Sequence, residues 1–138
     1  MYDNFDALLS EVLGDFLAEH GFECVSSQAA QDGSFFDVVY ESTECKLRLY
    51  DSRRGGEINC LMGAVNAPND GDWTPRENRS WFYIRDLLEI GKGLSLEELQ
   101  KLAGPPVSGR KEQLIQLRDL LVSGFDKALR NRRARTTA

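Results

Sequence analysis

Phe35-Phe36-Asp37-Val38-Val39-Tyr40-Glu41, then Ser42-Thr43-Glu44, then Cys45-Lys46-Leu47-Arg48-Leu49-Tyr50-Asp51: this stretch decides the fold. Both outer runs are rich in β-branched and aromatic residues with apolar positions two apart. The residues between them carry turn chemistry. A gap this short joins antiparallel strands, because a parallel crossover needs a dozen residues or more.

Working outward, Glu57–Gly63 is a further strand, reached through Ser52-Arg53-Arg54-Gly55-Gly56. Phe22–Ser27 is an earlier one, joined to Phe35–Glu41 through a turn at Asp32-Gly33. A loop at 52–55 pairs Leu49 with Ile58 and Leu47 with Cys60. A loop at 42–43 pairs Tyr40 with Cys45, Val38 with Leu47 and Phe36 with Leu49. Both hairpins then set Phe36, Val38, Tyr40, Cys45, Leu47, Leu49, Ile58, Cys60 and Met62 on one shared face. A slip of one residue would mix the faces. The other face carries Asp37 opposite Arg48 and Asn59, with Phe35, Tyr50, Val39, Lys46 and Leu61 around them. Asp37 and Arg48 are expected to face each other across the strands on this outer face, a pair worth ~0.2–1 kcal/mol if exposed. For Phe22–Ser27 two registers stay open, since neither Phe22 and Cys24 nor Glu23 and Val25 dominates.

Helices flank the sheet. From Asp3 to His20, Phe5, Leu8, Leu9, Val12, Leu13, Phe16 and Leu17 follow the i, i+3, i+4, i+7 spacing of an amphipathic helix. Asp3 suits its N-cap and Gly21 its C-terminal stop. Asn66–Arg79 is a long loop of turn formers. Ser80 opens a short helix to about Glu89, with Trp81, Ile84, Leu87 and Leu88 as its apolar stripe. Ser95 and Glu98 form a capping box for a second short helix, which ends at Ala103 before Gly104-Pro105-Pro106. A long helix spans about Gly109 to Arg130, and Asn131–Ala138 reads as a basic, frayed tail. The expected fold is α+β: an N-terminal helix, a four-stranded antiparallel β-meander, two short helices and one long C-terminal helix. Residues 1–130 are expected to form one domain.

Composition excludes several classes. Of 138 residues, 41% are hydrophobic, enough for a core, and 28% are charged. No apolar run reaches the ~18 residues of a membrane span. Met1 to Asp6 carry no Lys or Arg, so no signal-peptide n-region is read there. Three cysteines, Cys24, Cys45 and Cys60, cannot all pair, which points to free thiols and a cytoplasmic location. A single histidine, His20, and no Cys-x-x-Cys predict no metal site. No Gly-x-Ser-x-Gly elbow is present. Neither Gly91-Lys92-Gly93 nor Gly104-Pro105-Pro106 is a phosphate loop. No cofactor is expected, and no two carboxylates stand out as an acid–base pair. The chain is therefore expected not to be an enzyme.

Charge is divided along the chain. Residues 1–45 hold ten acids and no Lys or Arg, a net −10; residues 46–138 carry +5. The overall −5 argues against a specific nucleic-acid binder. Asp3, Ala7, Glu11, Asp15 and Glu19 recur every four residues opposite the apolar stripe of the first helix. Like charges at i, i+4 cost a helix a few tenths of a kcal/mol per pair. Either the protein's own arginines compensate them, or a basic partner does. Glu11, Asp15 and Glu19 are the candidate partner-binding residues. Trp73, an aromatic among Asn, Asp, Gly and Pro, is a candidate anchor.

Gly21-Phe22, Phe36-Asp37-Val38-Val39-Tyr40-Glu41-Ser42, Leu47-Arg48-Leu49 and Gly56-Glu57-Ile58-Asn59 together resemble a pattern in small bacterial proteins. In these an N-terminal helix precedes a β-meander and further helices. Some resemble immunity proteins, which block a cognate toxin by binding it. The likeness covers about residues 5–63, and no functional residue is carried over by it. It is compatible with the acidic stripe, and with it leads to the expectation of a non-enzymatic binding protein whose first helix docks a basic partner. The alternative expectation is a small-ligand or regulatory domain using the sheet–helix cleft and the Trp73 loop.

Overall fold

The structure, a computed structural model, describes residues 3–31, 33–52, 56–69, 80–88, 95, 97 and 109–136. The expected helix at 95–103 and the loop residue Trp73 lie outside this description. Helix α1 runs Asp3–Glu19 and is followed by strands β1 (Glu23–Ala29), β2 (Phe35–Glu41), β3 (Lys46–Ser52) and β4 (Glu57–Gly63). Then come β5 (Trp81–Tyr83), a single-turn helix α2 (Ile84–Leu87) and a long helix α3 (Arg110–Thr136). The sheet is antiparallel with strand order β1-β2-β3-β4-β5.

The meander has five strands, one more than the four expected. Trp81-Phe82-Tyr83 is a run of β-formers, and it pairs with the open edge of β4 through Gly63↔Trp81, Met62↔Phe82 and Leu61↔Tyr83. Strand alternation sends Phe82 toward the main core, and Trp81 and Tyr83 toward the other face. The helix expected from Ser80 shrinks to α2, whose Ile84 and Leu87 are buried, as is Leu88 just after it.

Both hairpins sit two residues from the expected register. Val38 faces Leu49 and Tyr40 faces Leu47; on the other side of β3, Leu49 faces Cys60 and Leu47 faces Met62. Ser42 causes the first shift. Its backbone N–H donates to the Cys45 carbonyl at 2.9 Å, and its Oγ accepts from the N–H groups of Glu44 at 3.2 Å and Cys45 at 3.3 Å. The loop therefore takes four residues. Gly56 causes the second. At φ +63° it occupies the last loop position, where a side chain would be strained, so β4 begins at Glu57. A shift of two preserves the faces. Phe36, Val38, Cys45, Leu47, Leu49, Ile58, Cys60 and Met62 all join the main core, with Tyr40 packed at its edge.

β1 resolves its two open registers by using both. Cys24 faces Tyr40, the register shifts between Cys24 and Ser26, and Ser27 then faces Val38. One extra residue in the strand exchanges its two faces, so no single alternation could fit it.

Helices α1 and α3 cover the inner face. Phe5 meets Phe36 edge-on at 5.5 Å, and Phe16 meets Phe125 at 5.6 Å. α1 ends in a Schellman arrangement: Phe22 N–H donates to Leu17 O at 2.8 Å and Gly21 N–H to Ala18 O at 3.2 Å. α3 continues to Thr136, past the expected end at Arg130. Ala128, Leu129 and Arg132 are buried, Asn131 Nδ2 donates to the Leu87 carbonyl at 2.5 Å, and Arg133 pairs with Glu44 at 3.3 Å, so this end of α3 is tied to α2 and to the β2–β3 turn.

The outer face carries a second cluster of Val39, Tyr50, Leu61, Ala67 and Trp81. Arg48 is fully buried there, 4.8 Å from the Trp81 ring centre and paired with Asp37. The pair lies on the expected face but is diagonal rather than directly opposed, because Asp37 faces Tyr50 and Arg48 faces Val39, and both side chains are buried.

Candidate functional site

Among the described residues, four ion pairs join bases of residues 46–138 to acids of residues 1–45. Arg48 bonds Asp37, Lys46 lies 3.7 Å from Glu41, Lys111 3.3 Å from Glu11, and Arg133 3.3 Å from Glu44. Two of these pairs are built into the outer face and its covering turn. Lys46 Nζ also donates to the Ala67 carbonyl at 2.7 Å and to Asn69 Oδ1 at 2.6 Å. Arg48 donates to the Pro68 and Asn69 carbonyls, and Trp81 Nε1 donates to Pro68 O at 3.0 Å. The side chains of β3 and β5 thus clamp residues 67–69. These cations are structural, held among carbonyls and carboxylates of the outer face and its covering turn. Desolvation lifts the Asp37 carboxyl above its ordinary value, and the Arg48 charge and hydrogen bond offset only part of that rise.

A different set of acids is left over. Asp6, Asp15, Glu19 and Glu23 are exposed and make no ion pair among the described residues. Asp15 and Glu19 lie on the exposed stripe of α1, Asp6 lies half a turn away around the same helix, and Glu23 is the first residue of β1. Of the three expected docking residues on α1, all are exposed; Glu11 is engaged by Lys111, an exposed contact, whereas Asp15 and Glu19 have no ion pair among the described residues. Salt screens a pair like Glu11–Lys111, and it binds weakly. Trp73 cannot be joined to this face, since it lies outside the described residues.

Glu23 adds a feature that sequence reasoning missed. It stands directly opposite Glu41 across β1 and β2. Two like charges at such a position repel. Finding it required the β1 register, which the bulge concealed.

Elsewhere the chemistry is quiet. Among the described residues no group of three His, Cys, Asp or Glu side chains is placed to hold a metal ion. Cys45 and Cys60 are buried thiols in the sheet, and Cys24 is exposed on β1. Burial pushes the Cys45 thiol up to about 11 and raises that of Cys60 still further, so neither is a ready nucleophile. His20 lies against the rings of Phe16 and Phe125, at 4.4 and 4.6 Å. At the sheet–helix interface, Leu47, Leu49, Cys60 and Met62 share one buried cluster with Leu9, Leu13, Leu114 and Leu117. No helix among the described residues is long and apolar enough to cross a membrane.

Comparison with family models, with curated proteins and with solved structures finds no match to this chain.

Proposed function

We propose that this protein is a non-enzymatic binding domain that docks a basic protein partner through the acidic face of α1, in the manner of an immunity protein. One observation carries the reading. Four acids of α1 and β1, Asp6, Asp15, Glu19 and Glu23, are exposed and make no ion pair among the described residues, although the chain carries 17 bases that could have met them. A helix shaped by stability alone would alternate its signs at i, i+4. The 11-15-19 spacing instead concentrates like charge. Such a face speeds encounter with a positive surface and discriminates against acidic proteins more than it adds raw affinity.

The test uses the wild-type protein and an Asp15→Lys/Glu19→Lys variant as paired baits. A basic protein retained by the wild type, released as salt rises and not retained by the variant is the expected result. Equal retention by both baits, or retention that salt does not weaken, overturns the reading.

A further inference from the structure

β1 is an edge of the sheet, and six of its seven residues are exposed, with Ser26 half-buried. Val25 is 43% exposed. From Cys24 to Gln31 there is no charged residue and no proline, the two usual guards of an open edge. The bulge at Val25 is the one protective device, and it affects only the beginning of the strand. The other edge, β5, is three residues long and runs directly into α2. Among the described strands, β1 therefore presents the long row of open backbone groups.

Its surroundings specify the partner. Glu23 opposes Glu41 on the outer face, and Glu41 has Lys46 at 3.7 Å while Glu23 has no ion pair among the described residues. On the inner face, Asp6 acts electrostatically on Tyr40, the residue paired with Cys24. Glu23 thus stands unneutralised in the strand itself, with Asp6 within electrostatic reach of the neighbouring Tyr40. Toward its other end lies a pocket of about 250 Å³ lined by Gln28, Ala29, Ala30, Phe35 and Asp37, a size that takes one side chain. A second copy of this chain is the wrong occupant. Pairing β1 with itself would bring no cation to Glu23, since residues 1–45 hold no Lys or Arg and Lys46 is held by Glu41, Ala67 and Asn69.

We infer that β1 accepts an extended segment of a basic protein as a sixth strand, its backbone bonded along Val25–Ala29, its cations beside Glu23 and Asp6, and one side chain in the pocket beside Gln28. This deepens the proposed function and rests on it for the basic character of the partner. Strand addition supplies affinity through main-chain bonds, while the flanking acids and the pocket choose the sequence.

The experiment titrates the isotope-labelled full chain with a decapeptide of alternating Lys and Val, followed by amide shifts at low salt. A second peptide carries N-methyl groups on its four central residues, which keeps every charge and removes donors from both strand edges. Expected are shifts concentrated on Val25–Ala29, at least tenfold weaker binding of the N-methylated peptide, and weakening by salt. Equal affinity for both peptides with shifts confined to α1 overturns the added strand and leaves acidic docking standing. Binding at β1 that ignores salt overturns the basic partner instead. Shifts nowhere overturn both.

Discussion

Arg48 shows how one residue can be legible in part. Its side of the sheet and its partner Asp37 follow from alternation, but its complete burial does not. Burial depends on residues 67–69 folding over the outer face, and no local pattern announces that. Removing one member of a buried pair leaves the other charge without compensation, so Arg48→Ala is expected to cost ~3–5 kcal/mol in urea denaturation. Asp37→Asn, which keeps an acceptor for Arg48 and loses the desolvated charge, should cost less. The cysteines give a second prediction. In the native protein only exposed Cys24 should react quickly with a thiol reagent, and all three should react in denaturant. The Cys45 thiol ionises near its ordinary 9 when unfolded and at about 11 when folded. Between those values the unfolded chain sheds a proton that the folded chain keeps. Stability must therefore fall as pH rises through that window, and Cys60, shifted in the same direction, adds to the fall. Thermal melts from pH 8 to 11 should show a falling melting temperature, with a shallower slope for Cys45→Ala.

At the scale of elements, the residues that choose the core were readable because strand parity is robust. Both hairpins were displaced by two, and two is the displacement that costs nothing in facial pattern. What misled the register was turn chemistry: Ser42 closing a four-residue loop through its hydroxyl, and Gly56 filling a loop position. β5 was hidden for another reason. Trp81, Ile84, Leu87 and Leu88 fit a helical stripe, and only the open edge of β4 selects strand for the first three residues of the segment. The resulting approach is close. A Cβ built on Gly63 would lie 2.9 Å from the Ser80 carbonyl oxygen and 3.0 Å from both Ala67 Cβ and Trp81 Cε3. Backbone cannot move aside as a flexible side chain can. Gly63→Ala is therefore expected to destabilise by ~1–3 kcal/mol, the usual cost of overpacking, measured as a lower denaturation midpoint with an unchanged slope.

Across the whole molecule, the division of charge is the property most directly written in the sequence. How it is resolved was not, because that depends on which acids fall within reach of α3 and β3. Asp37, Glu41, Glu44 and Glu11 are paired there, and Asp15 and Glu19 make no ion pair among the described residues. The remaining candidate, Trp73, stays an expectation of sequence. The account turns on α1 carrying acids that the fold itself does not use, and a thermal melt of Asp15→Lys at low and high salt tests that most directly. The new lysine would follow Glu11 by four residues and precede Glu19 by four, turning two repulsions into two attractions. The predicted result is a melting temperature equal to the wild type's or higher by up to about 2 °C at low salt, with the difference shrinking as salt is added. A drop of several degrees would show that Asp15 is neutralised within the fold, and would contradict the docking face.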